Sequence, residues 1–309
     1  MSVHRSVLLA EVIAGLAIRE SGIYVDATFG RGGHSRAILE RLGDDGRLVA
    51  IDVDPEAIAI AQSEPFLSDG RFDVEHASFR SIEALMTKRG WLGKVDGVLL
   101  DLGVSSPQLD NPARGFSFMR EGPLDMRMNP AEGIDAMTWI HAASAEEIAH
   151  VLFHFGEERQ SRRIARAIVA ARESARIETT TQLAQIIEKS GIKREKNKHP
   201  ATRAFQAIRI FINQELEALA DGLSQTVNVL AAGGRMCVIS FHSLEDRIVK
   251  QFMQTEEKGN HLPPHFPMMP AQIKHRLRRI GKAMAPTDAE IKMNPRARSA
   301  RLRIAEKIA

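Results

Sequence analysis

Cysteine is almost missing from this chain. Among 309 residues Cys237 stands alone, so no intramolecular disulfide can form and no zinc site can be built on paired thiolates. Its setting, Met236-Cys237-Val238-Ile239-Ser240, is an apolar strand, which makes it core material. Aromatic residues are scarce too: they make up 5% of the chain, with a single Tyr, too few for broad base-stacking platforms. Long hydrophobic runs are absent. No stretch approaches the ~20 apolar residues of a membrane span, and the apolar run within residues 4–12 is too short for a signal peptide and is broken by charge. The expected location is the cytoplasm. Neither sign of charge dominates, since 42 Lys and Arg against 39 Asp and Glu leave +3, but the basic residues are clustered, which matters more than the sum. What is present is ordinary for a globular protein, 44% hydrophobic and 26% charged, and long enough for one large or two modest domains with a sizeable core.

The most informative segment is Val25-Asp26-Ala27-Thr28-Phe29-Gly30-Arg31-Gly32-Gly33-His34-Ser35. It reads as a strand closed by an acid, a glycine-rich turn and the opening of a helix (Arg36 to Arg41). Glycines let the backbone turn tightly and approach a ligand closely, and a helix start offers free N–H groups. A second strand, Arg47 to Asp52, ends in a carboxylate about 20 residues beyond the turn, the spacing at which a nucleotide-like ligand presents its ribose hydroxyls. A dinucleotide fingerprint would place its third glycine where Ser35 stands, and a phosphate-cradling P-loop needs a Gly-Lys-Ser/Thr that the turn lacks. An anion ahead of the glycines would repel a pyrophosphate. It suits a cationic ligand carrying an amino group and a sulfonium. The segment therefore predicts S-adenosylmethionine (AdoMet), with Asp26 near the amino-acid end, Gly30 and Gly32 in the turn and Asp52 on the ribose. A nicotinamide oxidoreductase is the rival that Ser35 and Asp26 disfavour.

Further strands at Phe72–His76 and Val95–Asp101, separated by helical patterns, predict a doubly wound, Rossmann-like parallel sheet in an α/β fold. The next apolar strand, Arg235 to Phe241, comes only after the turn signal Ala232-Gly233-Gly234. Helical patterns fill the interval. Ser144-Ala145-Glu146-Glu147 is a capping box, followed by Ile148, Val151, Leu152 and Phe155 on one face. A second helix runs through Ile164, Ile168 and Val169, and a third carries Leu183, Ile186 and Ile187 and stops near Gly191. A fourth starts around Pro200 and buries Phe205, Ile208, Ile212, Leu216 and Leu219. The expected organisation is a cofactor-binding sheet domain of residues 1–108 and 213–309, with an inserted all-helical substrate-recognition domain of residues 109–212. Beyond the Arg235 strand, the sequence predicts a helix from Ser243, a Pro-rich loop over 262–270, a basic helix around 274–279 and a last strand over 300–305.

Asp101-Leu102-Gly103-Val104-Ser105-Ser106-Pro107-Gln108 follows the fourth strand, at the carboxyl edge where an open α/β sheet builds its site. An aryl amine's lone pair is delocalised into its ring, so acceptors for its N–H groups are needed to direct that lone pair at a methyl donor. Asp101, Ser105, Ser106 and the Gly103-Val104 carbonyls are the candidates. Two basic clusters, Lys193 to Arg203 (with Lys196, Lys198 and Arg203) and residues 274–301 (with Arg276, Arg278, Arg279, Arg296 and Arg298), supply phosphate contacts and point to nucleic acid. His150 and His154 stand at i, i+4 without the Glu of a zinc-hydrolase helix, so a plain helix face is expected and no metal site. The Met-rich run from Phe116 to Met128 reads as an ordered loop or lid near the site. His242 and Ser243 at a strand end read as substrate contacts.

Thr28-Phe29-Gly30-Arg31-Gly32-Gly33-His34-Ser35, Asp101 to Gln108, Arg114-Gly115-Phe116-Ser117-Phe118, Leu124-Asp125-Met126-Arg127, Lys198 to Arg203, Ser240 to Arg247 and Asn294-Pro295-Arg296-Ala297-Arg298 together resemble the bacterial methyltransferases that modify N4 of a cytosine in small-subunit (16S) ribosomal RNA. The resemblance covers nearly the whole chain. It implies a class I AdoMet-dependent fold, a cytoplasmic enzyme and a decoding-centre cytosine on the 30S subunit. Its cofactor contacts fall on Gly32, Gly33, His34, Asp52, Phe79, Asp101 and Gln108. Thr28 stands where many AdoMet enzymes carry the first glycine. A homodimer is an arrangement the sequence leaves open, and a non-catalytic ribosome-assembly factor with the same fold is the alternative reading.

Overall fold

The structure, a computed structural model, describes residues 6–191, 199–259 and 275–308. The expected phosphate contacts Lys196 and Lys198, the Pro-rich loop and Lys274 lie outside the described residues. The chain divides into two compact units, Met1–Gly103 with Leu216–Ala309, and Val104–Glu215. No described helix is long and apolar enough to cross a membrane.

The first unit begins with α1 (Leu9–Leu16), β1 (Ile23–Asp26), α2 (Gly33–Leu39), β2 (Arg47–Asp52), α3 (Pro55–Ala61), β3 (Phe72–His76), α4 (Ile82–Lys88) and β4 (Val95–Asp101). The second unit holds α5 (Ser106–Asp110), α6 (Ala136–Ala142), α7 (Ala145–Gly156), α8 (Ser161–Ser174), α9 (Thr180–Lys189) and α10 (Thr202–Ile212). The chain returns to the first unit through α11 (Glu215–Val229), then β5 (Leu230–Ser240), α12 (Ser243–Lys258), β6 (Leu277–Arg279), α13 (Asp288–Met293) and β7 (Arg301–Lys307).

The seven strands form one sheet in the order β3-β2-β1-β4-β5-β7-β6. The β3, β2, β1, β4 and β5 neighbours pair in parallel, whereas β7 runs antiparallel to both β5 and β6. The sheet is therefore mixed, with one reversed strand inside an otherwise parallel array. Because side chains alternate along a strand, each strand feeds two cores. Tyr24, Leu48, Ala50, Leu99, Cys237 and Ile239 pack with α1, α2 and α3 on one face. Val25, Val49, Ile51, Val98, Leu100, Met236 and Val238 pack with α4, α11 and α12 on the other. Truncating a wholly buried strand residue such as Leu99 to Ala costs about 2–5 kcal/mol.

Two expectations for this part change. The described part of the expected basic helix, residues 275–279, is not helical: residues 277–279 form β6, which pairs Leu277 with Lys307 and Arg279 with Ala305. The fifth strand also begins earlier than the Gly233-Gly234 signal, at Leu230, and absorbs an irregularity opposite Val95–Gly97.

In the helical unit, Ile148, Leu152, Ile164, Ile168, Leu183, Ile187, Phe205 and Ile208 meet in one core. The Ser144–Glu147 capping box forms in both directions, at 2.7 and 3.2 Å. The fourth predicted helix is two helices. Gln214 turns left-handed (φ 50) just after Asn213 caps α10, and the Asn213 side chain donates to the Met126 carbonyl and accepts from the Met128 N–H, at 2.8 and 2.7 Å. Those partners fix the Met-rich run as part of the unit's packing. Phe116, Leu124 and Met126 are buried in its core, which is the opposite of what a lid requires.

Candidate active site

The site is built at the carboxyl ends of β1, β2 and β4. Asp26 closes β1 and is 1% exposed. The Ser35 hydroxyl donates to its Oδ2 at 2.6 Å, and the Thr28 N–H to its Oδ1 at 3.3 Å. Burial still dominates and pushes its carboxyl up to about 7. Ser35, which counted against a dinucleotide fingerprint, is thus the residue that supports the acid.

The turn between β1 and α2 is held from below by backbone bonds from Ala27 to the Leu99 carbonyl and from Phe29 to the Ile51 carbonyl. Gly30 and Gly32 both sit in the left-handed region, at φ 56 and 70. A Cβ on Gly32 would also lie 2.5 Å from the Phe66 ring and 2.7 Å from the Phe29 ring, so that position requires glycine on two counts. Asp52, closing β2, accepts from the Gly30 N–H at 2.8 Å and from the Asp54 N–H at 2.9 Å. Burial raises its carboxyl as well. Thr28 is explained by its hydroxyl, which accepts the Asp101 N–H at 2.7 Å and so ties the turn to the end of β4.

His34, on the first turn of α2, is buried. Its Nε2 lies 3.1 Å from the Val7 carbonyl and donates to it, and its Nδ1 stands 3.7 Å from Asp101 Oδ2. Asp101 Oδ1 is buried with no hydrogen-bond partner. Burial, with Asp26 and Glu245 adding repulsion, drives the Asp101 carboxyl well above the usual range. Asp26, Asp52 and Asp101 form no ion pair with Lys or Arg among the described residues. An acidic cluster buried at Asp26, half-buried at Asp52 and Asp101, and carrying a buried carboxylate oxygen without a partner is costly unless a cation or donor completes it.

Phe79 follows β3 and lies against α11, where a Cβ on Gly222 would come within 2.5 Å of its ring. Glu245 is the residue the sequence reading missed. It is 2% exposed, and its Oε2 accepts the Phe241 and His242 N–H groups at 2.8 and 3.3 Å beyond β5. The spacing of His242 and Glu245, an Ncap residue and its N3 carboxylate, could have revealed it. His242 is the N-cap of α12 through its Nδ1, and its Nε2 is buried without a hydrogen-bond partner.

Ser105, Ser106 and Gln108 belong to the helical unit. Gln108 is buried, and its Oε1 accepts the Ser105 N–H at 2.8 Å over the first turn of α5. Arg203, on α10, donates to the Glu157 carbonyl at 2.7 Å. The C-terminal basic residues separate into two groups. Arg301 pairs with Ser240, so the exposed Arg296 and Arg298 just before β7 lie toward the carboxyl edge of β5. Arg276, Arg278 and Arg279 lie at the opposite edge and are neutralised by Glu256, Glu306 and Glu257, each at 2.5 Å. A guanidinium already holding a carboxylate is a poor phosphate ligand, so this part of the expected cluster does not flank the site.

A sheet ordered β3-β2-β1-β4-β5-β7-β6 with β7 reversed, an acid before a glycine turn at β1 and a second acid at the end of β2 define a class I methyltransferase. Comparison with known proteins makes this specific. The model of the MraW methylase family matches residues 1–308, and the chain belongs to that family. The chain is 57% identical over 308 residues to a ribosomal RNA small subunit methyltransferase H from Coxiella burnetii (strain RSA 331 / Henzerling II), covering 100% of both chains. It is 55% identical over 309 residues to the protein of that name from Legionella pneumophila (strain Paris), again over 100% of both. Among solved structures, an rRNA methylase from Streptococcus thermophilus aligns over 100% of both chains with 10% identity and a TM-score of 0.44.

Proposed function

We propose that this methylase transfers a methyl group from AdoMet to the exocyclic N4 of a decoding-centre cytosine in 16S ribosomal RNA, acting in the cytoplasm on the 30S subunit. The observation that carries the reading is Asp101, which presents an orphaned, buried carboxylate oxygen at the sheet edge that the glycine turn and Asp52 also face. The names of the Coxiella and Legionella relatives support the small-subunit RNA as substrate.

The donor set fits AdoMet. Asp52 would accept the ribose hydroxyls, Asp26 and the Gly30–His34 turn would meet the amino-acid end, and Phe79 would wall the adenine. Gln108 is the further contact that the family resemblance implies. When bound, AdoMet supplies an electrophilic methyl on a cationic sulfur. The chain's own work is electrostatic and positional. Three carboxylates with no Lys or Arg partner among the described residues favour a cation. Asp101 would accept an N–H of the cytosine amine and so orient the nitrogen lone pair. Once a bound cation favours its ionised form, its raised affinity for a proton would equip it to take the one the nitrogen sheds. Ser105 and Ser106, a few residues further along the chain, are the additional acceptors. The helical unit, Arg203 within it and Arg296 and Arg298 hold the RNA.

Mass mapping of 16S RNA from cells with and without this protein tests the reading. One cytosine should lose a single N4-methyl when the protein is absent. An unchanged methylation pattern would make the protein a non-catalytic assembly factor.

A further inference from the structure

One end of the helical unit concentrates basic residues, four of which pair with no carboxylate among the described residues. Helices α7 and α8 are joined by residues 157–160, so the last turn of α7 and the first turn of α8 share an end. Arg159 stands in that connection, and Arg162, Arg163 and Arg166 follow on α8. Their spacing is i, i+3, i+4, i+7, which is one helical face continued from the turn, and all four are exposed. None of the four forms an ion pair with Asp or Glu among the described residues. Two more cations reach the same end. Arg203 donates to the Glu157 carbonyl in the connection. The Arg163 guanidinium lies against Gly191, where a Cβ would come within 2.5 Å of its Nη2, and this places the last turn of α9, with exposed Lys189, beside it.

Several arginines elsewhere in the chain are held by acids. Arg71, Arg89, Arg127, Arg209, Arg235 and Arg303 each hold an Asp or Glu within 3.1 Å. A basic run alone is often only a solvated face, but an exposed aromatic ring stands at the same end. Here Phe153, on the last turn of α7, is 53% exposed, with the His154 ring edge-on at 5.2 Å. Arginines without acidic partners at the same end of the unit as an exposed aromatic ring complement a polyanion whose unpaired bases have π-faces.

We infer that this end of the helical unit is an RNA-binding surface, with Arg159, Arg162 and Arg166 on backbone phosphates and Phe153 stacked on an unpaired base. The inference rests on the proposed ribosomal RNA substrate and adds the surface that grips it. Arg163 is set apart because it also serves the end of α9.

The test uses the full-length protein and small subunits from cells lacking it. Replacing Arg159, Arg162 and Arg166 together with Ala should raise the KM for small subunits about tenfold or more at low salt. Each lost phosphate contact should lower the salt slope of binding by about 0.7–0.9. The kcat at saturating subunits, AdoMet affinity and Tm should not move. Replacing the same three with Lys, which keeps the charge, should restore most of the binding. Phe153→Ala should weaken binding without changing the salt slope, since stacking releases no counterions. An unchanged KM and salt slope in the folded Ala variant, beside an active wild type, would overturn this surface alone. A wild type that neither binds nor methylates the subunits would overturn the proposed substrate, and the surface with it.

Discussion

Gly30 donates its backbone N–H to Asp52 Oδ2 at 2.8 Å, so the acid that closes β2 holds the turn that follows β1. The second oxygen of Asp52 accepts from Asp54, at the entrance to α3. Asp52 is therefore a fixed support as well as the expected ribose acceptor. Asp52→Ala should raise the AdoMet Kd tenfold to a hundredfold or more, since each charge-assisted hydrogen bond is worth about 1.5–3 kcal/mol. It should also lower Tm, because two backbone donors lose their partner. Calorimetry and a thermal melt read the two effects. Wild-type affinity in this variant would remove Asp52 from the cofactor site.

Asp26 gives a pH dependence with a definite sign. Its folded-state carboxyl is raised to about 7 by burial, so the free protein keeps the proton through the range in which an exposed Asp has lost it. Folding stability from this group is full below the ordinary Asp pKa and declines as pH rises toward about 7. A bound cation favours the ionised form. AdoMet binding should therefore release a proton and tighten as pH rises, levelling above about pH 7. In Asp26→Asn that part of the pH profile should flatten. Calorimetry in buffers of different ionisation enthalpy counts the proton, and equal release by wild type and variant would exclude Asp26.

Gly222 tests Phe79 without touching it. A methyl at this position would come 2.5 Å from the Phe79 ring, which must then move. Gly222→Ala improves helix propensity by up to about 1 kcal/mol, so the fold should survive while the ring shifts. The expected result is a several-fold loss of AdoMet affinity with little change in Tm. Unaltered affinity would place Phe79 in the packing of α11 only.

Asp101→Asn addresses the chemical step. The amide keeps an acceptor but cannot ionise, so single-turnover methylation at saturating AdoMet should fall by about 10²–10⁴. A rate restored to the wild-type value by saturating cofactor would make Asp101 a binding residue and leave the amine to Ser105 and Ser106.

Much of this architecture is legible in the sequence because it depends on local signals. The strands ending in Asp26, Asp52 and Asp101 are apolar runs closed by acids, and the Ser144 capping box announces α7. What stayed hidden depends on contacts made far along the chain. Phe205, Ile208, Ile212, Leu216 and Leu219 keep one helical period across the break at Asn213–Gln214, because a period reports a face and not continuity. At the break Gln214 turns left-handed, and the Asn213 side chain beside it bonds to Met126 and Met128, more than eighty residues away in sequence. Likewise Arg276, Arg278 and Arg279 read as a free basic cluster until β6 meets β7 and α12 and their carboxylates appear. Glu245 carries no distinct signal in the sequence because an acid in the first turn of a helix looks like any other capping residue.

The account's central claim is methyl transfer to a cytosine amine. Its most direct test is incubation of the purified protein with labelled AdoMet and 30S subunits from cells lacking it, followed by digestion and identification of the labelled nucleoside. The prediction is N4-methylcytidine at a single decoding-centre position, with label lost in Asp101→Asn. Label on a ring carbon, on a ribose oxygen or on another base, or no transfer to small-subunit RNA, would contradict it.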